Sequence, residues 1–214
     1  DDLKFNNALE KHAEEIAHLF AAAISTSDPK IRVTSKKVPA TDGIFSIEIN
    51  QVPTSGSFSG NPLSNYPGST FDTPGIISLV VDNVTTGEIK LSPRSYASGK
   101  EFAAELQRLI NLDENLKRNG SSVTVSYINN ALNITSNSVG LSSNVIVKSL
   151  NQNLSDMTGL IPGQGEAGND LRGRVNGYDL VGDGTKLKLE GVLSGVVLDV
   201  SGNQTGKRGD ITVT

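Results

Sequence analysis

With 214 residues the chain exceeds most single domains and can bury one large core or two smaller ones, and two are expected. Hydrophobic residues at 36% and charged residues at 20% match an ordinary globular chain and exclude a disordered tail. A net charge of −4, with basic runs no longer than Lys36-Lys37 and Lys117-Arg118, argues against nucleic acid as a partner; the absence of cysteine removes disulfides, thiol catalysis and thiolate metal sites; and no apolar run nears the roughly 20 residues that cross a bilayer, so no membrane partner is expected.

In LKFNNALEKHAEEIAHLFAAAI, Leu3, Phe5, Leu9, Ala13, Ile16, Leu19, Phe20 and Ile24 keep a helical period with charges opposite, which predicts an amphipathic helix over 1–25. Pro29 in STSDP stops it. The period then changes to two in KIRVTS and GIFSIEINQV, where Ile44, Ile47 and Ile49 supply β-branching, so two half-buried strands follow. From Pro53 to Pro74 the residues are mostly Ser, Gly, Asn and Pro with isolated Phe58, Tyr66 and Phe71, the composition of a connection or long surface loop.

GIISLVVDN and GEIKLSP read as a strand pair turned by Val84 to Gly87. Ser98 and Glu101 form a capping box that opens a helix with Phe102, Leu106, Leu109, Ile110 and Leu116 in one stripe, and Asn119-Gly120 closes it. SVTVSY, LNITSN and NVIVKS alternate, with Asn129-Asn130 as a tight turn, so residues 75–149 read β-β-α-β-β-β. The remainder places Gly, Asn or Asp every few residues between strand-like LRGRVNGYDL, TKLKLEG, VVLDVSG and DITVT, which predicts antiparallel β with short turns. The expected fold class is α+β, mostly antiparallel β: a β-rich domain and an α+β domain preceded by a helix.

No residue constellation points to chemistry. GQGEAG, Gly163 to Gly168, matches the dinucleotide fingerprint in letters, and Glu190 stands where a ribose carboxylate would. The fingerprint needs a strand entering the first glycine and a helix leaving the third; Pro162 before it and Asn169 to Gly173 after it offer neither, so a flexible connector is expected. His12 and His18 lie six apart, roughly 240° around a helix, and do not converge. Glu14-Glu15 reads as an exposed face. Asp179, Asp183 and Asp199 lack calcium-loop spacing, and neither Gly56 to Gly60 nor Ser194 sits in a nucleophile elbow. Catalytic, cofactor and metal residues are therefore expected to be none, and the Ser/Thr/Asn/Gly-rich β composition suits an extracellular structural or adhesive module.

Several stretches resemble known flagellar proteins. The segment from Thr70 (TFDTPGIISLVV) through the Leu-x-x-x-Ile-Asn helix to NVIV at Val147 is similar to the flagellin hook repeat. RVNGYDLVGDGTKLKLEG and GVVLDVSGNQTGKRGDITVT resemble the end of the head region of flagellar hook-associated capping proteins, in which Thr205-Gly206-Lys207-Arg208-Gly209 would form a turn before the last strand. FNNALEKHAEEIAHLF looks like that family's leg helix, and GIFSIEINQVPTSGSFSG like the opening of its head.

The resemblance implies a leg-type helix at 1–25, the first strands of a β-rich head domain and a loop at 26–70, a hook-repeat domain at 71–160 and a return to the β-rich domain at 161–214. It also implies a non-enzymatic filament cap at the extracellular tip of the bacterial flagellum. The cap would retain exported flagellin and promote its folding and polymerisation, self-associate as a ring in the full-length protein, and expose heads to a host surface or glycan. A helix placed before the head, without terminal coiled coils, suggests a piece of a longer protein. Two readings stay open beside it: an outer domain of a flagellin or other axial protein, and a secreted carbohydrate-binding adhesin domain.

Overall fold

The computed structural model describes residues 23–35, 41–63 and 72–214. His12, Glu14, Glu15 and His18, with nearly all of the expected first helix, lie outside them. In chain order the strands are β1 (Ile24–Thr26), β2 (Ile31–Val33), β3 (Gly43–Gln51), β4 (Ser57–Ser59), β5 (Gly75–Val81), β6 (Val84–Thr85), β7 (Ile89–Leu91), β8 (Val123–Ile128), β9 (Ala131–Ser136), β10 (Val145–Leu150), β11 (Gly163–Gln164), β12 (Arg172–Val175), β13 (Tyr178–Val181), β14 (Lys186–Lys188), β15 (Val197–Val200) and β16 (Gly206–Val213). Three helices, α1 (Gly99–Asn111), α2 (Glu114–Asn119) and α3 (Gln152–Thr158), lie between β7 and β11. The described part is mostly antiparallel β with few helices, and Ile24, the end of the expected helical stripe, belongs to a strand.

Two compact units share the chain: residues 1–51, 172–182 and 186–214 form the first, and residues 52–171 with 183–185 the second. The first unit holds a five-stranded sheet, β1-β16-β3-β12-β13, and a three-stranded sheet, β14-β15-β2. Alternation along β3 decides its faces: Phe45, Ile47 and Ile49 are buried, whereas Ile44 and Glu48 are exposed. Leu187, Leu198, Val200 and Ile31 are the buried residues of the smaller sheet, and Gly173 of β12 lies against both Ile49 and Leu187, so the two sheets face one another there. Burying each such aliphatic side chain stabilises by about 1.5–3 kcal/mol.

In the second unit α1 packs on β8. Its spacing of Phe102, Ala103, Leu106 and Ile110 buries one face, in a core shared with Ile77, Leu79, Val81, Val125, Ile134 and Val147. Ser98 Oγ accepts from the Glu101 amide at 3.2 Å, while the Glu101 carboxylate reaches back to the Ala97 amide at 2.8 Å, one residue before the donor of a standard capping box. Asp113 then breaks the expected single helix in two, because its Oδ1 takes the amides of Asn115 and Leu116 as an N-cap. Gly120, at φ 69°, closes α2.

Other expectations shift for identifiable reasons. The chain turns after β5 at Asp82-Asn83, both at positive φ, rather than at Val84 to Gly87. Thr86 is spent on the ladder instead: buried, its Oγ1 accepts from the Leu79 amide at 2.9 Å where β6 ends. Asn129-Asn130 does make the β8–β9 turn, at φ 52° and 61°. Within the Pro53–Pro74 stretch, Ser57–Ser59 is an edge strand on β9 with Phe58 in the core. The single strand-like run at 171–180 is two strands folded at Asn176-Gly177.

Candidate functional site

The glycine run takes a different form from a connector. Gly163 and Gln164 pair with β10, the Glu166 amide and carbonyl exchange hydrogen bonds with Ser57 at 2.8 Å, and the next element after Gly168 is β12, so no helix begins there. None of Gly163, Gly165 and Gly168 has positive φ, and close approach of neighbouring backbone, not unusual backbone angles, requires glycine at 165 and 168. A Cβ on Gly165 would sit 2.8 Å from the Val145 carbonyl oxygen and nearer still to that of Ser57. Glu190, the fingerprint's fourth participant, belongs to the first unit and the glycine run to the second. An open polar trough of about 410 Å³ runs beside Gly163 to Glu166.

The aspartates serve the sheets. Asp179 sits across β12–β13 from Arg174, whose Nε donates to it at 2.8 Å; that bond holds the exposed carboxyl below its ordinary range and raises the guanidinium. Asp199 lies opposite Lys186 and Arg32 in the smaller sheet, and Asp183 is exposed in the turn after β13. Among the described residues no group of three or more acidic or histidine side chains could hold a metal. Ser194 closes a 3₁₀ turn, Gly191–Leu193, through its amide.

From Gly206 to Gly209 the Thr205 to Gly209 motif lies in the last strand rather than in a turn before it. A bulge between Lys207 and Gly209 leaves Arg208 without a cross-strand partner on β3, and Gly209, at φ 101°, passes against Ser27. Arg208 is turned inward and is only 4% exposed at its side chain. Its Nε donates to Asp28 at 2.6 Å, its Nη1 to the Gln204 carbonyl at 2.9 Å and its Nη2 to the Ser201 carbonyl at 3.3 Å. The Asp28 carboxyl is held below its usual range first by that Arg208 bond and then by the Lys30 amide. One guanidinium thus ties the β1–β2 turn to β16.

A cleft of about 610 Å³ lies in the first unit between the end of the five-stranded sheet and the 3₁₀ turn. Phe45, Val175, Leu180, Leu189 and Leu193 form apolar walls, and Tyr178 and Val192 stand at its mouth, 77% and 59% exposed. None of these residues was picked out by sequence. The available signal was Asn176-Gly177, a strong hairpin pair that places Tyr178 at the start of an edge strand.

No family model and no curated protein matches the chain. Solved structures do. The crystal structure of the flagellar cap protein FliD D2-D3 domains from Escherichia coli is 16% identical at a TM-score of 0.59, over 91% of this chain and 99% of that one. The chain has the fold of flagellar cap D2-D3 domains. The flagellar cap protein FliD from Bdellovibrio bacteriovorus matches at TM-score 0.55 and 16% identity over 89% of this chain and 99% of that chain. FliD from Pseudomonas aeruginosa matches at 0.53 and 16%, over 87% and 85%. Both compact units therefore lie within the FliD-like fold, which the likeness traverses almost end to end.

Proposed function

We propose that this chain is a head module of a flagellar filament cap, with residues 71–160 its hook-repeat domain: a structural, non-enzymatic part that sits at the extracellular filament tip, retains exported flagellin and promotes its folding and polymerisation. The observation that carries the reading is fold likeness to FliD D2-D3 domains over nearly the full length of both chains. The head stretches that prompted the resemblance from sequence, Gly43–Gln51 and Gly206–Val213, are neighbours in one sheet, which adds support. Ring formation belongs to the full-length protein in this reading, and host surface or glycan contact to the exposed heads.

Immunogold electron microscopy with antibody raised against residues 23–214 tests it on intact cells. Gold confined to the distal ends of filaments is the expected result. Label along the whole filament would assign the chain to a flagellin or other axial protein instead, and label on the cell body away from filaments would favour an adhesin.

A further inference from the structure

Two Asn-Gly pairs occur in the chain, Asn119-Gly120 and Asn176-Gly177, and the fold treats them differently. Asparagine before glycine is open to attack by the glycine amide nitrogen on the carboxamide carbon, because glycine has no Cβ to hinder the approach. The five-membered imide that forms needs Cβ and that nitrogen nearly eclipsed about the Cα–C bond. For an L residue this means ψ of about −120°, the value at the first central residue of a type II′ turn. Asn119 is held away from that geometry. It is the last residue of α2, its Nδ2 donates to the Asn115 carbonyl at 2.9 Å, and the Gly120 amide donates to the Lys117 carbonyl at 3.2 Å. Attack there requires the helix end to open and both bonds to break.

Asn176-Gly177 is the two-residue turn between β12 and β13, closed by the Val175–Tyr178 pair, with φ of 49° and 85°. Positive φ at both central residues makes it type I′. Type II′ shares the positive φ at the first of them, suits the same flanking strands, and differs by a flip of the peptide between the two. That flip alone carries Asn176 to the imide-forming ψ. The bond from the Asn176 amide to the Ser46 carbonyl, 2.9 Å, lies outside the flipping unit and need not break. Among the described residues no hydrogen bond engages the Gly177 amide or the Asn176 carboxamide, and a Cβ built on Gly177 meets nothing within 4 Å. Both residues are exposed.

We propose that Asn176 is a site of spontaneous covalent modification, converted through a cyclic imide to aspartate and isoaspartate while the protein is folded. The Gly177 nitrogen loses its proton and bonds to Asn176 Cγ; the Cγ–Nδ2 bond breaks, and Nδ2 takes up a proton and leaves as ammonia. Water then adds to one of the two imide carbonyls. Opening at the main-chain carbonyl routes the chain through Cγ as isoaspartate, and opening at Cγ leaves aspartate; water is the only co-reactant. Isoaspartate lengthens by one carbon a turn whose length sets the β12–β13 register, and either product adds a carboxylate to the lining of the cleft. The inference rests on the chemistry of this turn and is independent of the filament-cap reading.

The test is incubation of the intact chain at mildly alkaline pH, then proteolysis and fragment-resolved mass spectrometry, which reads the mass gain of amide-to-acid conversion at each asparagine. In the folded chain Asn176 should convert at least about 10-fold faster than Asn119. In concentrated urea, where both pairs lose their structure, the two rates should agree within about threefold, since the following residue is glycine in both. Protein-isoaspartate methyltransferase with labelled S-adenosylmethionine should label the peptide that contains residue 176, a product that direct hydrolysis of the carboxamide does not yield. Three results would overturn the proposal. They are folded Asn176 converting no faster than Asn119, folded Asn176 converting at least about 10-fold slower than in urea, and a converted peptide free of isoaspartate. The parent protein serves throughout, so no variant has to fold. None of these outcomes bears on the immunogold result, so the two readings fail separately.

Discussion

Removing the carboxylate from Asp28 should unfold the first unit more readily than any surface change of its size. Arg208 would stay almost wholly buried with two carbonyl acceptors, from Gln204 and Ser201, but no counter-charge. Stranding one member of a buried ion pair costs about 3–5 kcal/mol, whereas a pair exposed at the surface is worth about 0–1 kcal/mol. With a urea dependence of about 1–3 kcal/mol per molar, Asp28→Ala should lower the unfolding midpoint by at least about 1 M. The measurement is urea unfolding followed by far-ultraviolet circular dichroism, since the chain has no tryptophan. Asp28→Ala combined with Arg208→Met should lose less than the sum of the single changes, because the second removes the stranded charge. The pH dependence has a fixed sign: the Asp28 pKa is lowered on folding, so its contribution is full above the unfolded value near 3.9 and is lost as pH falls through the lower folded value. A midpoint within about 0.3 M of the parent at pH 7, by the same slope, would refute the argument that this pair holds the β1–β2 turn to β16.

Leu106, fully buried on the inner face of α1, should cost about 2–5 kcal/mol as Leu106→Ala, while exposed Lys100→Ala should stay within about 0.5 kcal/mol in the same urea series. Gly165→Ala places a methyl group against the Ser57 and Val145 carbonyl oxygens and should destabilise the second unit by about 1–3 kcal/mol, read as faster limited proteolysis around 160–170. Calorimetry with millimolar NAD or ATP should give no saturable heat with the parent chain; saturable heat abolished by Gly165→Ala would revive the nucleotide reading of the glycine run. Sedimentation of this chain at micromolar concentration should give a weakly associating species, and a discrete tight ring would show that the heads themselves drive assembly.

Sequence pattern was informative where one local signal had one structural meaning. The Phe102-Leu106-Ile110 stripe, the Ser98 cap and the Asn129-Asn130 turn each carry their geometry in adjacent residues, and each appears in the structure. Mistakes arose where a signal had two meanings. Asp113 inside an apolar stripe reads as a helix surface residue until its neighbours' amides are seen to need a cap. Glycines at 165 and 168 suggest freedom, yet they mark crowding against backbone more than 15 residues away in sequence, which no local pattern records. Ser57–Ser59 looked like loop because a three-residue edge strand takes its stability from β9 and from burial of Phe58 rather than from its own propensity. Arg208 was legible only as part of a familiar motif; its role needed the bulge. Nothing local announced the cleft, whose walls come from β3, β12, β13 and the 3₁₀ turn together.

The chain departs from the five-stranded sheet at Gln51 and re-enters it at Arg172, and those two residues are register partners in β3 and β12. Thr54 and Asn169, just inside the excursion, are themselves bonded, amide to carbonyl at 2.9 Å and amide to Thr54 Oγ1 at 2.9 Å. The excursion of roughly 120 residues thus begins and ends at its own knot. Closing a loop costs about 0.6 kcal/mol more for each doubling of its length, so replacing ~120 free residues by a link equivalent to about 4 lowers the cost of pairing β3 with β12 by about 3 kcal/mol. A second unit that folds early therefore behaves, for the first, as an oversized hairpin turn. The order of folding should run from the inside outwards, and a short hairpin loop spliced between Gln51 and Arg172 should do the same mechanical work.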